Sequence, residues 1–388
     1  MPPAAHILDH LFAERAIDLE RAAFLVSPPP APTGPLDWGR AEGMMLGLAV
    51  GDALGSSCAA ATPAVRRSLL GEVRNYLPNR SADDLPYGLP SDDTQLAFWT
   101  LECLLEDGGR LDPEHLLERF AAGTLYGGGA ALGAALRAWR GGVRPWYRAG
   151  QASAGNGALM RIAPLVIPWL QKPSAELWAA TALAAAATHN DRASTAACLA
   201  WVHILWQALS MPQAPDPLWW PESYVAVARG LEGESRYAAR RGAWQGYEGP
   251  LWRYCEERLA DAWRRGLTAA EACEEWGSGA YLLETVPSVL YILMRHAADP
   301  EEALVRAVNR HFGMPPGCVA FVTPDGVLIL IDETTMSPAM LERRLRETLD
   351  EQPRLNDRRV TCSIGTAATD VVDLRRRVSE VERTASLA

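Results

Sequence analysis

Ser91-Asp92-Asp93-Thr94-Gln95-Leu96-Ala97-Phe98-Trp99-Thr100-Leu101-Glu102-Cys103-Leu104-Leu105 carries two signals at once. Leu96, Trp99, Cys103 and Leu104 occupy the i, i+3, i+7, i+8 positions of one helical face, so the spacing predicts an amphipathic helix. Ser91 is a good N-cap, and acids in a first turn meet free N–H groups and the positive end of the helix dipole. Asp92 and Asp93 nevertheless stand side by side, and like charges that close repel. The pair reads either as an ordinary acidic first turn or as a place where a cation belongs. The surrounding chain decides between them.

Outward from this helix, positions 38–309 read as helix after helix, rich in Ala and Leu and broken by Gly or Pro. Sustained β-branched alternation is missing, so the fold class expected is mainly α, an all-helical bundle. Tryptophans at 201, 206, 219, 220, 244, 252, 263 and 276 cluster in its second half and read as core. Before the bundle, residues 4–26 are expected to form one amphipathic helix, with Ile7, Leu8, Leu11, Phe12, Ile17, Leu19 and Leu25 as its apolar set. The proline-rich run from Ser27 to Pro35 stops it and makes an extended linker. After Asn309 the texture changes. Cys318 to Ile331 reads as two strands around Pro324-Asp325-Gly326, followed by a helix from Ser337-Pro338, a strand at 359–364 and a helix at 369–381. Three domains follow: 1–37, a helix and linker; 38–309, the helical domain; and 310–388, a small α/β (ββαβα) unit.

With 388 residues, 48% of them hydrophobic and 22% charged, the chain is long enough to bury a sizeable core. Its net charge of −10 argues against a broad nucleic-acid-binding face. Seven cysteines without CxxC pairs disfavour zinc and disulfides and suit a reducing compartment. The N-terminus lacks a basic-then-apolar secretory pattern, and no stretch is apolar enough to span a bilayer. A cytoplasmic protein without membrane association is expected.

Three other strings keep company with the acidic helix. Upstream lies Gly43-Met44-Met45-Leu46-Gly47-Leu48-Ala49-Val50-Gly51-Asp52-Ala53-Leu54-Gly55; downstream lie Gly155-Asn156-Gly157-Ala158-Leu159-Met160-Arg161-Ile162-Ala163-Pro164 and Thr188-His189-Asn190-Asp191. Glycines at 155 and 157 would let backbone N–H groups approach an anion closely, or simply make a tight turn. Arg161 reads as a phosphate partner or as half of a buried ion pair. Asp52 reads as a brace for a Gly-rich helix crossing, and His189 as a hydrogen-bonding residue rather than a proton-transfer group.

The four strings, in this order and at these distances, resemble the ADP-ribosylglycohydrolase family over roughly residues 38–309. The resemblance implies an all-helical, magnesium-dependent hydrolase that removes ADP-ribose from a modified protein side chain or related acceptor. It implies Ser91, Asp92 and Asp93 as metal ligands for one or two Mg2+ ions, with Asp92 or Asp93 also orienting a water. It further implies Gly155, Asn156, Gly157, Arg161 and His189 as substrate-binding residues. ADP-ribose or an ADP-ribosylated protein is the implied partner. The bond cleaved is at the ribose anomeric carbon, whose oxocarbenium-like transition state metal-held hydroxyls and a positioned water stabilise.

The chain departs from that pattern in two places. Members usually carry an Asp-x-Asp-Thr motif after a helix ending like Glu301 to Asn309, whereas here Arg310-His311-Phe312-Gly313-Met314-Pro315-Pro316-Gly317-Cys318 holds no acid. A glutamate usual after the Gly-Asp-Ala-Leu-Gly string is replaced by Ser56-Ser57-Cys58-Ala59-Ala60. The alternative expectation is therefore a catalytically inactive ADP-ribose-binding protein, with 310–388 as its protein-interaction module.

Overall fold

The computed structural model describes residues 2–32, 37–56, 88–277 and 279–299, positions 73, 76, 77, 302 and 303, and two strands beyond 317. Two units divide the chain: Met1–Ala60 with Tyr76–His311, and Ala61–Asn75 with Phe312–Ala388.

In the first unit the helices follow one another as α1 (Ala4–Ala13), α2 (Trp38–Ser56), α3 (Asp92–Glu106), α4 (Pro113–Ala122), α5 (Ala130–Arg140), α6 (Glu176–Ala186) and α7 (Arg192–Ala208). Then come α8 (Trp219–Glu232), α9 (Leu251–Arg264), α10 (Ala269–Trp276) and α11 (Leu282–His296). Between α8 and α9, the two-residue strands β1 (Tyr237–Ala238) and β2 (Glu248–Gly249) pair antiparallel. The mainly helical class expected from periodicity is what the structure has.

Helix α6 is the hub, because every residue from Leu177 to Ala186 is buried. Its alanines let α7 on one side and α1 on another pack directly against it, the behaviour of a helix apolar all round. Helices α7, α8 and α9 then pack in succession, and α11 closes on α9 and α10. Helix α3 packs on α4 and on the 3-10 turns Leu159–Arg161 and Ala163–Trp169. Its predicted apolar face holds: Leu96, Cys103 and Leu104 are buried, and Trp99 is half-buried against the core. Among the described residues, no helix is long and apolar enough to cross a membrane.

The single helix expected over 4–26 is corrected. It ends at Ala13, Arg15 takes a left-handed φ of 54°, and the chain runs on extended before a short 3-10 turn at Ala23–Val26. Ile17 and Leu19 are buried while Asp18 and Glu20 carry ion pairs to Arg192. That is the period-two alternation of an extended segment, which a 3.6-residue reading had absorbed into one helix. The arm is fastened along its length: Glu176 accepts from the Ala4 N–H at 2.7 Å, while Trp178 and Trp206 donate their indole N–H groups to the Ser27 and Pro30 carbonyls, each at 2.8 Å.

In the second unit the described elements are β3 (Cys318–Thr323) and β4 (Gly326–Ile331), an antiparallel hairpin in which Cys318 pairs with Ile331 and Thr323 with Gly326. The helices and third strand expected after it lie outside the described residues, as do the acid-free stretch at 310–317 and Ser57 to Ala60.

Candidate active site

Ser91 caps α3 as expected, accepting from the Asp93 N–H, but the group that organises the helix mouth comes from α2. The Asp52 carboxylate accepts four hydrogen bonds: from the Ser91 N–H at 2.7 Å and hydroxyl at 2.6 Å, and from the Thr94 N–H at 3.1 Å and hydroxyl at 2.7 Å. The bracing role read for Asp52 is thus a clamp across two helices. The loop before α5 is strapped to the same turn, since Gln95 donates to the Thr124 carbonyl and accepts from the Tyr126 N–H. Asp92 donates its N–H to the Tyr126 carbonyl at 3.0 Å. Gly127 passes so close that a Cβ there would lie 2.5 Å from Asp92 Oδ1, and its φ of 116° suits glycine.

The clamp gathers three carboxylates, Asp52, Asp92 and Asp93. Burial raises the Asp92 carboxyl above its ordinary range. Asp93 is pushed up to about 7, by burial first and then by the charges of Asp52 and Asp92. Buried carboxylates whose strongest charged neighbours are other carboxylates favour a proton or a cation. Among the described residues no three Asp, Glu, His or Cys side chains converge to enclose a metal. The donor set instead fits an ion that accepts one or two carboxylates and keeps water and substrate oxygens, which is the habit of magnesium. Asp52 is already committed to the clamp, so Asp92 and Asp93 are the groups free to hold such an ion.

The second cluster surrounds the Gly155–Gly157 loop. Gly155 forms an antiparallel bridge with Tyr281: the Leu282 N–H donates to the Ala154 carbonyl at 3.0 Å, and the Asn156 N–H to that of Ala280 at 2.8 Å. The Asn156 amide is therefore committed to the protein. The N–H groups of Gly155 and Gly157, and the Asn156 side chain, make no hydrogen bond among the described residues. The three residues are partly exposed, so these are the groups a ligand can use.

Against the loop lies the His189 imidazole. A Cβ on Gly157 would fall 2.7 Å from His189 Cε1, so only glycine fits beside the ring. His189 Nδ1 lies 2.9 Å from the Thr188 hydroxyl, and Thr188 in turn accepts from the Arg161 guanidinium at 2.8 Å. Burial and the Arg161 charge push the imidazole down to about 4, so it is neutral at pH 7. Arg161 is completely buried, bonded to the Ala184 carbonyl at 2.9 Å and stacked 4.9 Å from the Phe120 ring centroid. Of its two alternative readings, the buried ion pair is not formed among the described residues, and burial lowers its pKa to about 10.

Ser91, Asp92 and Asp93 thus share one cluster, and Gly155, Gly157, Arg161 and His189 a second. Helix α3 packs on the 3-10 turn that holds Arg161, and among the described residues no hydrogen bond or ion pair joins the clusters directly. Two contributors were not assigned from the sequence. Thr188 carried a signal only in being a hydroxyl next to His189; Tyr126 acts through its backbone carbonyl, which leaves no sequence signal.

Residues 35–313 match the family described as ADP-ribosylglycohydrolase. An uncharacterized protein of Archaeoglobus fulgidus is 30% identical over 274 residues, covering 68% of this chain and 79% of its own length. An ADP-ribosyl-[dinitrogen reductase] glycohydrolase of Rhodospirillum rubrum is 33% identical over 174 residues, covering 43% of this chain and 57% of its own. A solved structure described as an ADP-ribosylglycohydrolase-related protein complex is 28% identical, with a TM-score of 0.49, across 70% of this chain and 80% of that one.

Proposed function

The chain belongs to the ADP-ribosylglycohydrolase family, and on that premise we propose that it hydrolyses the bond between the ribose anomeric carbon of ADP-ribose and a modified protein side chain or related acceptor. The observation that carries the reading is the Asp52 clamp, which presents Asp92, buried, and Asp93, half-buried, as an adjacent, cation-seeking pair at the mouth of α3. Asp92 and Asp93 would hold magnesium, with the Ser91 hydroxyl beside them. When bound, that ion supplies positive charge to orient ribose hydroxyls and a water and to offset the charge that shifts as the bond breaks. Asp92 or Asp93 orients the attacking water. The free N–H groups of Gly155 and Gly157 and the Asn156 side chain bind the ligand's oxygens, and neutral His189 contributes a hydrogen bond. Arg161 acts from beneath the loop rather than as a direct phosphate contact, since it is fully buried.

A second reading, an ADP-ribose-binding protein without turnover, has its own support: Arg310 to Cys318 holds no acid, and the family match ends at 313. Release of free ADP-ribose from arginine- and serine-linked protein substrates, with magnesium and with EDTA, separates the two. Hydrolysis predicts magnesium-dependent release that Asp93→Asn abolishes. Calorimetric binding of ADP-ribose without release on any substrate would establish the binding protein instead.

A further inference from the structure

The Arg161–Thr188–His189 chain determines where the imidazole proton resides. Arginine only donates, and both hydrogens of its Nη2 are used, on the Ala184 carbonyl and on Thr188 Oγ1. The Thr188 hydroxyl, having accepted that bond, keeps one hydrogen to give. The acceptor within reach is His189 Nδ1, 2.9 Å away. An Nδ1–H ring would leave the Thr188 hydroxyl hydrogen without an acceptor among the described residues, so the arrangement favours a lone pair at Nδ1 and the ring proton on Nε2. Among the described residues Nε2 itself makes no hydrogen bond, and it is not sealed among the buried, unpartnered atoms. It lies 3.0 Å from where a Cβ on Gly157 would stand and 3.6 Å from one on Gly155, so it faces the loop whose amides are free.

We propose that Arg161 and Thr188 are positioning residues that hold His189 as the uncharged Nε2–H tautomer, aimed as a hydrogen-bond donor at an oxygen of the ligand seated on Gly155–Gly157. A donor fixed in this way discriminates for an acceptor oxygen, a ribose hydroxyl or phosphate oxygen, without adding a positive charge to the site. It also accounts for an arginine buried without an acid: its charge polarises the Thr188 hydroxyl toward His189 and opposes protonation of the ring. The ligand half of this proposal rests on the reading of the loop as an ADP-ribose site; the tautomer half does not.

The test is long-range 1H–15N correlation NMR of the full chain, which reports the histidine tautomer directly, beside calorimetric titration with ADP-ribose. The expected results are an Nε2–H ring for His189 in the wild type and in Thr188→Ser, a mixture of tautomers in Thr188→Val, and about tenfold weaker ADP-ribose binding in Thr188→Val alone. An Nδ1–H ring in the wild type, or an unchanged tautomer in Thr188→Val, overturns the proposal. If the tautomers behave as expected but ADP-ribose leaves the His189 resonances unmoved, the aim toward this ligand is overturned and the relay stands.

Discussion

The two clusters hold charge of opposite sign, and among the described residues neither has a side chain that neutralises it. At the α3 mouth three carboxylates, Asp92 buried and Asp52 and Asp93 half-buried, share one corner, and the strongest charged neighbours of Asp93 are the other two. Behind the Gly155–Gly157 loop, one guanidinium is sealed beside the Phe120 ring, with its Nη2 on two neutral oxygens and its Nε and Nη1 without a partner among the described residues. Burying an unpaired charge costs stability, so neither arrangement is what packing alone would select. The difference lies in accessibility. The carboxylates have ligand capacity left over at Asp92 and Asp93, whereas Arg161 is withdrawn and acts through Thr188 on His189. The first cluster is built to receive a cation; the second turns a charge into the orientation of a neutral donor.

The sharpest way to break this contrast is Asp93→Asn. If the mouth is a cation site, turnover should fall by roughly a hundred- to a thousandfold, and the magnesium dependence of ADP-ribose release should vanish with it. A variant that keeps turnover would mean the carboxylates are merely a capped helix end.

Next in size is Gly157→Ala, which forces a Cβ toward the His189 ring. Overpacking of this kind costs about 1–3 kcal/mol, measurable by urea unfolding, and should displace the ring from the loop. In a His189→Ala background most of that cost should disappear, because the clashing atoms are gone. Equal costs in both backgrounds would separate the histidine from the loop.

A buried carboxylate remote in role from both clusters serves as the control. Glu232 accepts from the Leu251 and Trp252 N–H groups and the Ser235 hydroxyl, yet burial pushes it up to about 7. Its folded pKa lies above its unfolded value, so its contribution to stability is fully present at acidic pH and is lost as pH rises through about 7. Below about pH 6.5 the depressed His189 opposes this fall, so the Tm of magnesium-free protein should fall most clearly between about pH 6.5 and pH 8, with Asp93 adding to the fall in the same direction. Glu232→Gln should flatten part of the slope, and saturating magnesium another part. A slope that Glu232→Gln leaves untouched would assign the whole effect to the mouth.

The smallest effect belongs to the N-terminal arm, where Asn190 accepts from the Asp18 N–H at 3.0 Å and donates to the Ala16 carbonyl at 2.9 Å. Asn190→Ala should cost about 1 kcal/mol of unfolding free energy, with little change in ADP-ribose affinity. A large affinity loss would make the arm part of the histidine's positioning.

Much of this was legible from residue types and spacing. The apolar face of α3, its Ser91 cap, the glycine at 157 and the helical class all follow from rules that act within a turn or two of the chain. The single helix is corrected because Leu19 keeps the helical spacing of Leu8 and Phe12, whereas Ile17 and Leu19, two apart, share a face only in an extended chain. The partners that hold the segment extended, Asn190, Arg192 and Leu231, are distant in sequence. The resemblance implies Asn156 as a substrate-binding residue; its N–H pairs with the Ala280 carbonyl, a partner whose side chain says nothing of the bond, and this leaves the Asn156 side chain as the group a ligand can use.

The sequence by itself determined which residues carry charge and where helices begin, because capping and periodicity are local. Only the tertiary structure decided that Asp52 reaches across 39 and 42 positions to hold Ser91 and Thr94, and that Arg161 reaches across 27 to Thr188. Those contacts depend on how close α2 comes to α3, and the loop to α6. That distance is set by the packing of every side chain between them, which no short stretch encodes.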